Sequence, residues 1–120
     1  MAMILLVEDS VSMRQMVSFT LQEAGHDILE TEDGVEALDY AKSSDVVDLV
    51  LTDVNMPNMD GLKLTEELRQ LDDYKFIPIL VLTTETDIEK KKKGRDAGAT
   101  GWIEKPFDPD TLLATINRVL

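Results

Sequence analysis

Leu49-Val50-Leu51-Thr52-Asp53-Val54-Asn55-Met56-Pro57-Asn58-Met59-Asp60-Gly61 decides how the chain is read. From Val46 to Val54 the residues are mostly apolar, many of them β-branched, and the run is too short for a core helix. Pro57 and Asp60-Gly61 close it, so it predicts a buried strand followed by a turn. Asp53 then stands at the C-terminal end of that strand. In an open parallel α/β sheet this is the edge at which ligands bind and chemistry is placed. A carboxylate that merely caps a loop is the plainer alternative for this stretch taken alone.

Outward from this strand, the same alternation repeats. Met3 to Val7 predicts a first strand, and Met13, Met16, Val17, Thr20, Leu21 and Ala24 fall at helical spacing before a stop at Gly25. Ile28 to Thr31 is a short second strand, Asp33-Gly34 a turn, and Val35, Leu38 and Ala41 mark a second helix. Leu64, Leu68 and Leu71 mark a third. Ile77 to Leu82 is the fourth strand, with Pro78 tolerated near its start. Asp87 to Ala97 is helix-compatible, but Ile88 and Ala97 are its clear apolar anchors and Gly94 weakens its interior, so its docking is expected to be the loosest. Thr100 to Glu104 is the fifth strand. Asp108-Pro109 is an N-cap with proline at the first helical position, opening a helix whose Leu112, Leu113, Ile116, Val119 and Leu120 are expected to face inward. Five βα units predict a parallel sheet with helices on both faces, doubly wound rather than a partial barrel.

Composition narrows the function. The 120 residues suit one domain over 1–120, with no output domain expected. Cysteine is absent, which removes disulfides and thiolate metal sites and suits a reducing cytoplasm. The apolar N-terminus has no basic region before Glu8-Asp9, so neither a signal peptide nor a membrane span is expected. A net charge of −12 opposes association with nucleic acid or anionic lipid. Lys90, Lys91, Lys92, Lys93 and Arg95 form a local basic cluster on this acidic chain. It is either a solvated helix face or a partner site.

With a strand order of 2-1-3-4-5, Glu8 and Asp9 after strand one meet Asp53 after strand three at the topological switch point. Converged carboxylates repel unless a cation neutralises them, and hard oxygen ligands suit Mg²⁺. Asp9 or Ser10 can also cap the first helix. Thr83 and Lys105 lie at the ends of strands four and five. A hydroxyl and an ammonium there would complete a cage for a phosphoryl group on Asp53. Lys105-Pro106 also fits a turn with a cis peptide bond, and Thr83 a loop hydroxyl.

On Val7-Glu8-Asp9-Ser10, Asp53 to Gly61, Thr83-Thr84 and Gly98 to Phe107, the chain resembles a receiver domain of two-component response regulators, similar to single-domain chemotaxis regulators of the CheY type. The match spans nearly the whole chain without insertions. The resemblance implies a flavodoxin-like (βα)5 fold and Asp53 as acceptor of a phosphoryl group from a sensor histidine kinase. It implies Mg²⁺ held by Glu8, Asp9, Asp53 and the backbone carbonyl of Asn55, with Lys105 on the phosphoryl oxygens and Thr83 moving toward them. Asn55 and Glu85 fall where side chains influence the lifetime of the acyl phosphate. Two positions depart from the commonest pattern: Glu8 where Asp is frequent, and Trp102 where Tyr or Phe is usual. Trp102 is open to two readings, a core residue or a switch element.

The expected output is a shift of the loop after strand four and of the fourth helix, with Lys90 to Lys93, Arg95 and Trp102 as partner face. A flagellar motor switch protein is the partner that the resemblance suggests, and the chain is expected to act as a monomer. A Mg²⁺-dependent phosphohydrolase is the enzymatic rival, but the acid such enzymes carry two residues after the nucleophile is here Asn55. A receiver-fold binding module without phosphotransfer is the other. A nucleotide-binding protein is disfavoured, because Glu8-Asp9-Ser10-Val11-Ser12 has no glycine.

Overall fold

A computed structural model describes residues 2–84, 88–105 and 107–120. Its elements are β1 (Met3–Val7), α1 (Val11–Glu23), β2 (Asp27–Thr31), α2 (Gly34–Ser43), β3 (Leu49–Asp53), α3 (Gly61–Arg69), a 3₁₀ turn (Asp72–Tyr74), β4 (Ile79–Thr84), α4 (Ile88–Ala97), β5 (Gly101–Lys105) and α5 (Pro109–Val119). The five strands are parallel in the order β2-β1-β3-β4-β5, as the sequence predicts.

β3 is buried along its whole length, which is why it reads as an unbroken apolar run rather than an alternating one. Ile4, Leu6, Leu49, Leu51, Leu80, Leu82 and Ile103 point to one side of the sheet, where Val17 and Leu21 of α1 and Leu112 and Ile116 of α5 cover them. Leu5, Val7, Val50 and Ile79 point to the other, against Ala37, Leu38 and Ala41 of α2 and Leu64 and Leu68 of α3. Pro78 immediately precedes β4, and its carbonyl accepts from Val50 N at 2.9 Å, so the missing N–H costs the ladder nothing.

Helix starts follow local chemistry. Ser10, Asp33, Asp60 and Asp108 each accept a backbone N–H three residues on. Ser10 caps α1, so Asp9 is left for the sheet edge. Gly34 is the first residue of α2 and not part of a preceding turn; a Cβ there would meet the Met59 carbonyl at 2.7 Å.

Four residues read as part of the apolar spacing of a helix are exposed. Val35 is exposed, because Gly34, Ala37, Leu38 and Ala41 form the buried stripe of α2. Met16 is exposed while Ser18 is buried beside Val17. Ala24 is the exposed C-cap residue of α1, and Leu120 lies past the end of α5, where the chain no longer follows the inner face. Leu71 follows α3 rather than belonging to it and is partly buried. The expected Asp87 start of the fourth helix, Glu85 and the Lys105-Pro106 peptide lie outside the described residues, as does the side chain of Lys90.

Candidate functional site

The C-terminal ends of β1 and β3 meet because the two strands are paired, with Val7 opposite Thr52. Glu8 and Asp9 therefore arrive beside Asp53. One carboxylate oxygen from each of the three lies within 4.8 Å of the others. Glu8 and Asp53 are buried and Asp9 is exposed, so the cluster opens to solvent on one side.

Lys105 reaches in from the end of β5. Its Nζ stands 3.0 Å from Asp53 Oδ1 and 3.8 Å from Glu8 Oε1. Asp53 Oδ1 also accepts from Val54 N at 2.8 Å. One ammonium thus pairs with two of the three clustered carboxylates, and the imbalance falls on Glu8. Burial, then the hydrogen-bonding contact with Asp53 and its charge, pushes the Glu8 carboxyl up to about 8, against the pull of Lys105. Among the described residues, Glu8 Oε2 and Thr83 Oγ1 are buried side-chain oxygens with no hydrogen-bond partner. Each is a polar atom open to a partner from outside the chain.

The turn after β3 brings its own backbone close. Gly61 N donates to the Val54 carbonyl at 2.9 Å, and a Cβ on Gly61 would lie 1.9 Å from the Asp53 carbonyl oxygen, so only glycine fits there. Asn58 adopts a φ of 67° and its Nδ2 donates to Asp33 Oδ2 at 2.7 Å, tying the turn to the start of α2. Asn55 is exposed in this turn. Asp60-Gly61 is thus both the α3 cap and the tight packing that seats Asp53.

A family model described as the response regulator receiver domain matches residues 4–117. The chain belongs to the response regulator receiver family. Among its relatives, a CheY homologue of Campylobacter jejuni described as a chemotaxis protein is 39% identical over 118 residues, covering 98% of this chain and 91% of that protein. PilH of Pseudomonas aeruginosa is 35% identical over 120 residues, covering 100% of this chain and 98% of that protein. The solved structure of the Vibrio cholerae chemotaxis response regulator CheY4 shares 52% identity at a TM-score of 0.94, over 100% of this chain and 99% of that one.

Away from the acidic edge of this receiver domain, the residues set aside as a partner face are only partly free. Lys92, Lys93 and Arg95 of α4 are exposed, whereas Lys91 folds back to pair with Glu104 of β5. Its Nζ also lies 5.8 Å from the centroid of the Trp102 ring. Trp102 is 38% exposed, so of its two readings the core one is set aside. Trp102, Lys91, Lys92 and Arg95 line a shallow cavity of about 260 Å³. Sequence reasoning passed over Arg14, which bonds to the backbone of Glu8; a lone base amid the apolar positions of α1 was the available signal.

Proposed function

We propose that the chain is a phosphorylation-dependent signalling switch in which Asp53 accepts a phosphoryl group from a phosphohistidine of a sensor kinase. The observation that carries the reading is Lys105 Nζ at 3.0 Å from Asp53 Oδ1, inside a cluster of three carboxylates. An ionised Asp53 oxygen needs no base. It forms the new O–P bond, the P–N bond to the imidazole breaks, and the departing nitrogen keeps the electron pair. Lys105 neutralises charge on the phosphoryl oxygens as they approach.

Hard oxygen donors, an excess of negative charge and the orphaned Glu8 Oε2 suit a divalent cation. Glu8, Asp9, Asp53 and the carbonyl of Asn55 would hold Mg²⁺, which supplies Lewis-acid charge neutralisation at the phosphoryl oxygens. Thr83 Oγ1 is buried with its hydrogen bond unmade, a group ready to answer a new acceptor at Asp53. Glu85, with Asn55, is proposed to tune how fast water removes the phosphoryl group.

The signal is proposed to leave through α4 and β5, by release of Lys91 and Trp102 into a surface that binds a downstream protein. A motor switch protein of the flagellum is the proposed partner class, on the strength of the chemotaxis relatives. The proposed unit is residues 1–120 as a single receiver domain acting in the cytoplasm. Incubation with labelled acetyl phosphate and Mg²⁺ tests the reading: the wild-type chain is expected to take up label, and Asp53→Asn to take up none. Label retained by Asp53→Asn would overturn the acceptor.

A further inference from the structure

The Glu8–Asp9 peptide sits just beyond the last residue of β1, where the ladder that fixes the strand gives out. Its orientation decides where two of the three clustered carboxylates point. On one side Glu8 N–H still donates to the Thr31 carbonyl of the β2 end at 3.1 Å. On the other, the Glu8 carbonyl has passed the last rung and needs a donor from elsewhere.

Arg14 supplies it. From the first turns of α1 its Nη1 donates to the Glu8 carbonyl at 2.7 Å. Its Nε lies 3.5 Å from Glu30 Oε1, and its Nη2 3.8 Å from Glu32 Oε1. The side chain is only 14% exposed. A guanidinium has donors fixed in several directions at once, so it can fasten a carbonyl on one edge and two carboxylates on another. An ammonium is a single point and cannot keep this spread.

We propose that Arg14 is a positioning residue for the acidic site: it locks the Glu8–Asp9 peptide between α1 and β2 so that both carboxylates converge on Asp53. The inference rests on the reading of that cluster as a Mg²⁺ site. Arg14 spends its charge on a neutral carbonyl, on Glu30 of β2 and on Glu32 just past that strand, so it holds the Glu8–Asp9 peptide without pairing with the carboxylates of Glu8 and Asp9. Of its two acidic partners Glu32 is the more exposed and the more distant, and is the less important. Outer groups that orient metal ligands in this way are typically worth ~10- to 100-fold in affinity.

Titration calorimetry with Mg²⁺, together with amide hydrogen exchange in the metal-free chain, tests this. Arg14→Met keeps the aliphatic stem and removes every donor. It is expected to weaken Mg²⁺ binding by ~10-fold or more and to speed exchange at the Glu8 amide, which donates to the Thr31 carbonyl, while Glu32→Gln leaves both unchanged. Wild-type affinity and wild-type exchange in Arg14→Met would overturn the proposal. If that variant does not fold, Arg14→Lys decides: a loss of about threefold or more in a chain with native circular dichroism supports it, and unchanged affinity overturns it. A wild-type chain that binds no Mg²⁺ fails the metal reading instead, and the exchange at the Glu8 amide then decides the hold of Arg14 by itself.

Discussion

Glu8 is the residue at which the cost of the acidic site concentrates. Its carboxyl is buried, one oxygen is unpartnered among the described residues, and burial with the adjacent Asp53 raises its pKa from the ordinary 4.5 to about 8. A raised carboxyl means that the metal-free fold favours the neutral acid. The contribution of Glu8 to stability is therefore fully present below its ordinary pKa and is lost as pH rises through 8. A divalent cation needs the ionised form and must displace that proton. Mg²⁺ affinity is accordingly expected to rise roughly tenfold from pH 6.5 to 8, with proton release seen when calorimetry is repeated in buffers of different ionisation enthalpy. Glu8→Gln should flatten this pH profile as well as weaken binding. An aspartate at this position would reach less far, so the longer side chain belongs to how this site is filled.

Among the elements, α4 carries the residue, Gly94, whose neighbour the sequence alone did not show. Gly94 reads as a weakness in a helix interior, and in the backbone sense it is one. In the structure it is buried, and its Cα side lies against Leu62 of α3 with 3.5 Å between a built Cβ and Leu62 Cδ2. That distance is ordinary contact, so Gly94→Ala should fit and stabilise the fold by about 0.5–1 kcal/mol, read as a higher urea midpoint at unchanged m-value. A drop in midpoint would show that α3 and α4 need the closer approach. The inner strands β1, β3 and β4 were legible because they are apolar runs, the short edge strands β2 and β5 because they recur in the same alternation with helices, and Asp53, Glu8, Asp9 and Lys105 came with them as strand-end residues. The outward indole of Trp102 was not. β5 is an edge strand, and a helix as poor in apolar residues as α4 has little to bury a ring with, so Lys91 and Glu104 set the position of α4 over it. Arg14 escaped for a related reason: its acids, Glu30 and Glu32, lie at and just past the end of β2, and only the folded sheet brings α1 and that strand end together around Glu8.

At the scale of the whole molecule, a chain of net charge −12 gathers three of its carboxylates at one sheet edge against one lysine. Two apolar layers, one under α1 and α5 and one under α2 and α3, carry the fold and hold that edge in place at an electrostatic cost. Whatever neutralises the edge should therefore stabilise the entire domain and not the loops alone. Two sources of neutralisation can be told apart. General salt screens exposed charge over about 8 Å at physiological ionic strength, and acts on all surface acids alike. A cation bound at Glu8, Asp9 and Asp53 adds a linkage term of about 2.7 kcal/mol at a hundred times its dissociation constant, which for a domain of this size is a rise in Tm of roughly 10 °C. Thermal unfolding in Mg²⁺ is expected to exceed unfolding in NaCl of equal ionic strength by that margin, and Asp9→Asn should remove most of the excess while leaving the NaCl response intact. Equal gains from the two salts would mean that the charge of the surface as a whole, rather than the site, governs stability. Because the strand ends that carry the acids are continuous with both apolar layers, the specific gain should appear in one cooperative transition.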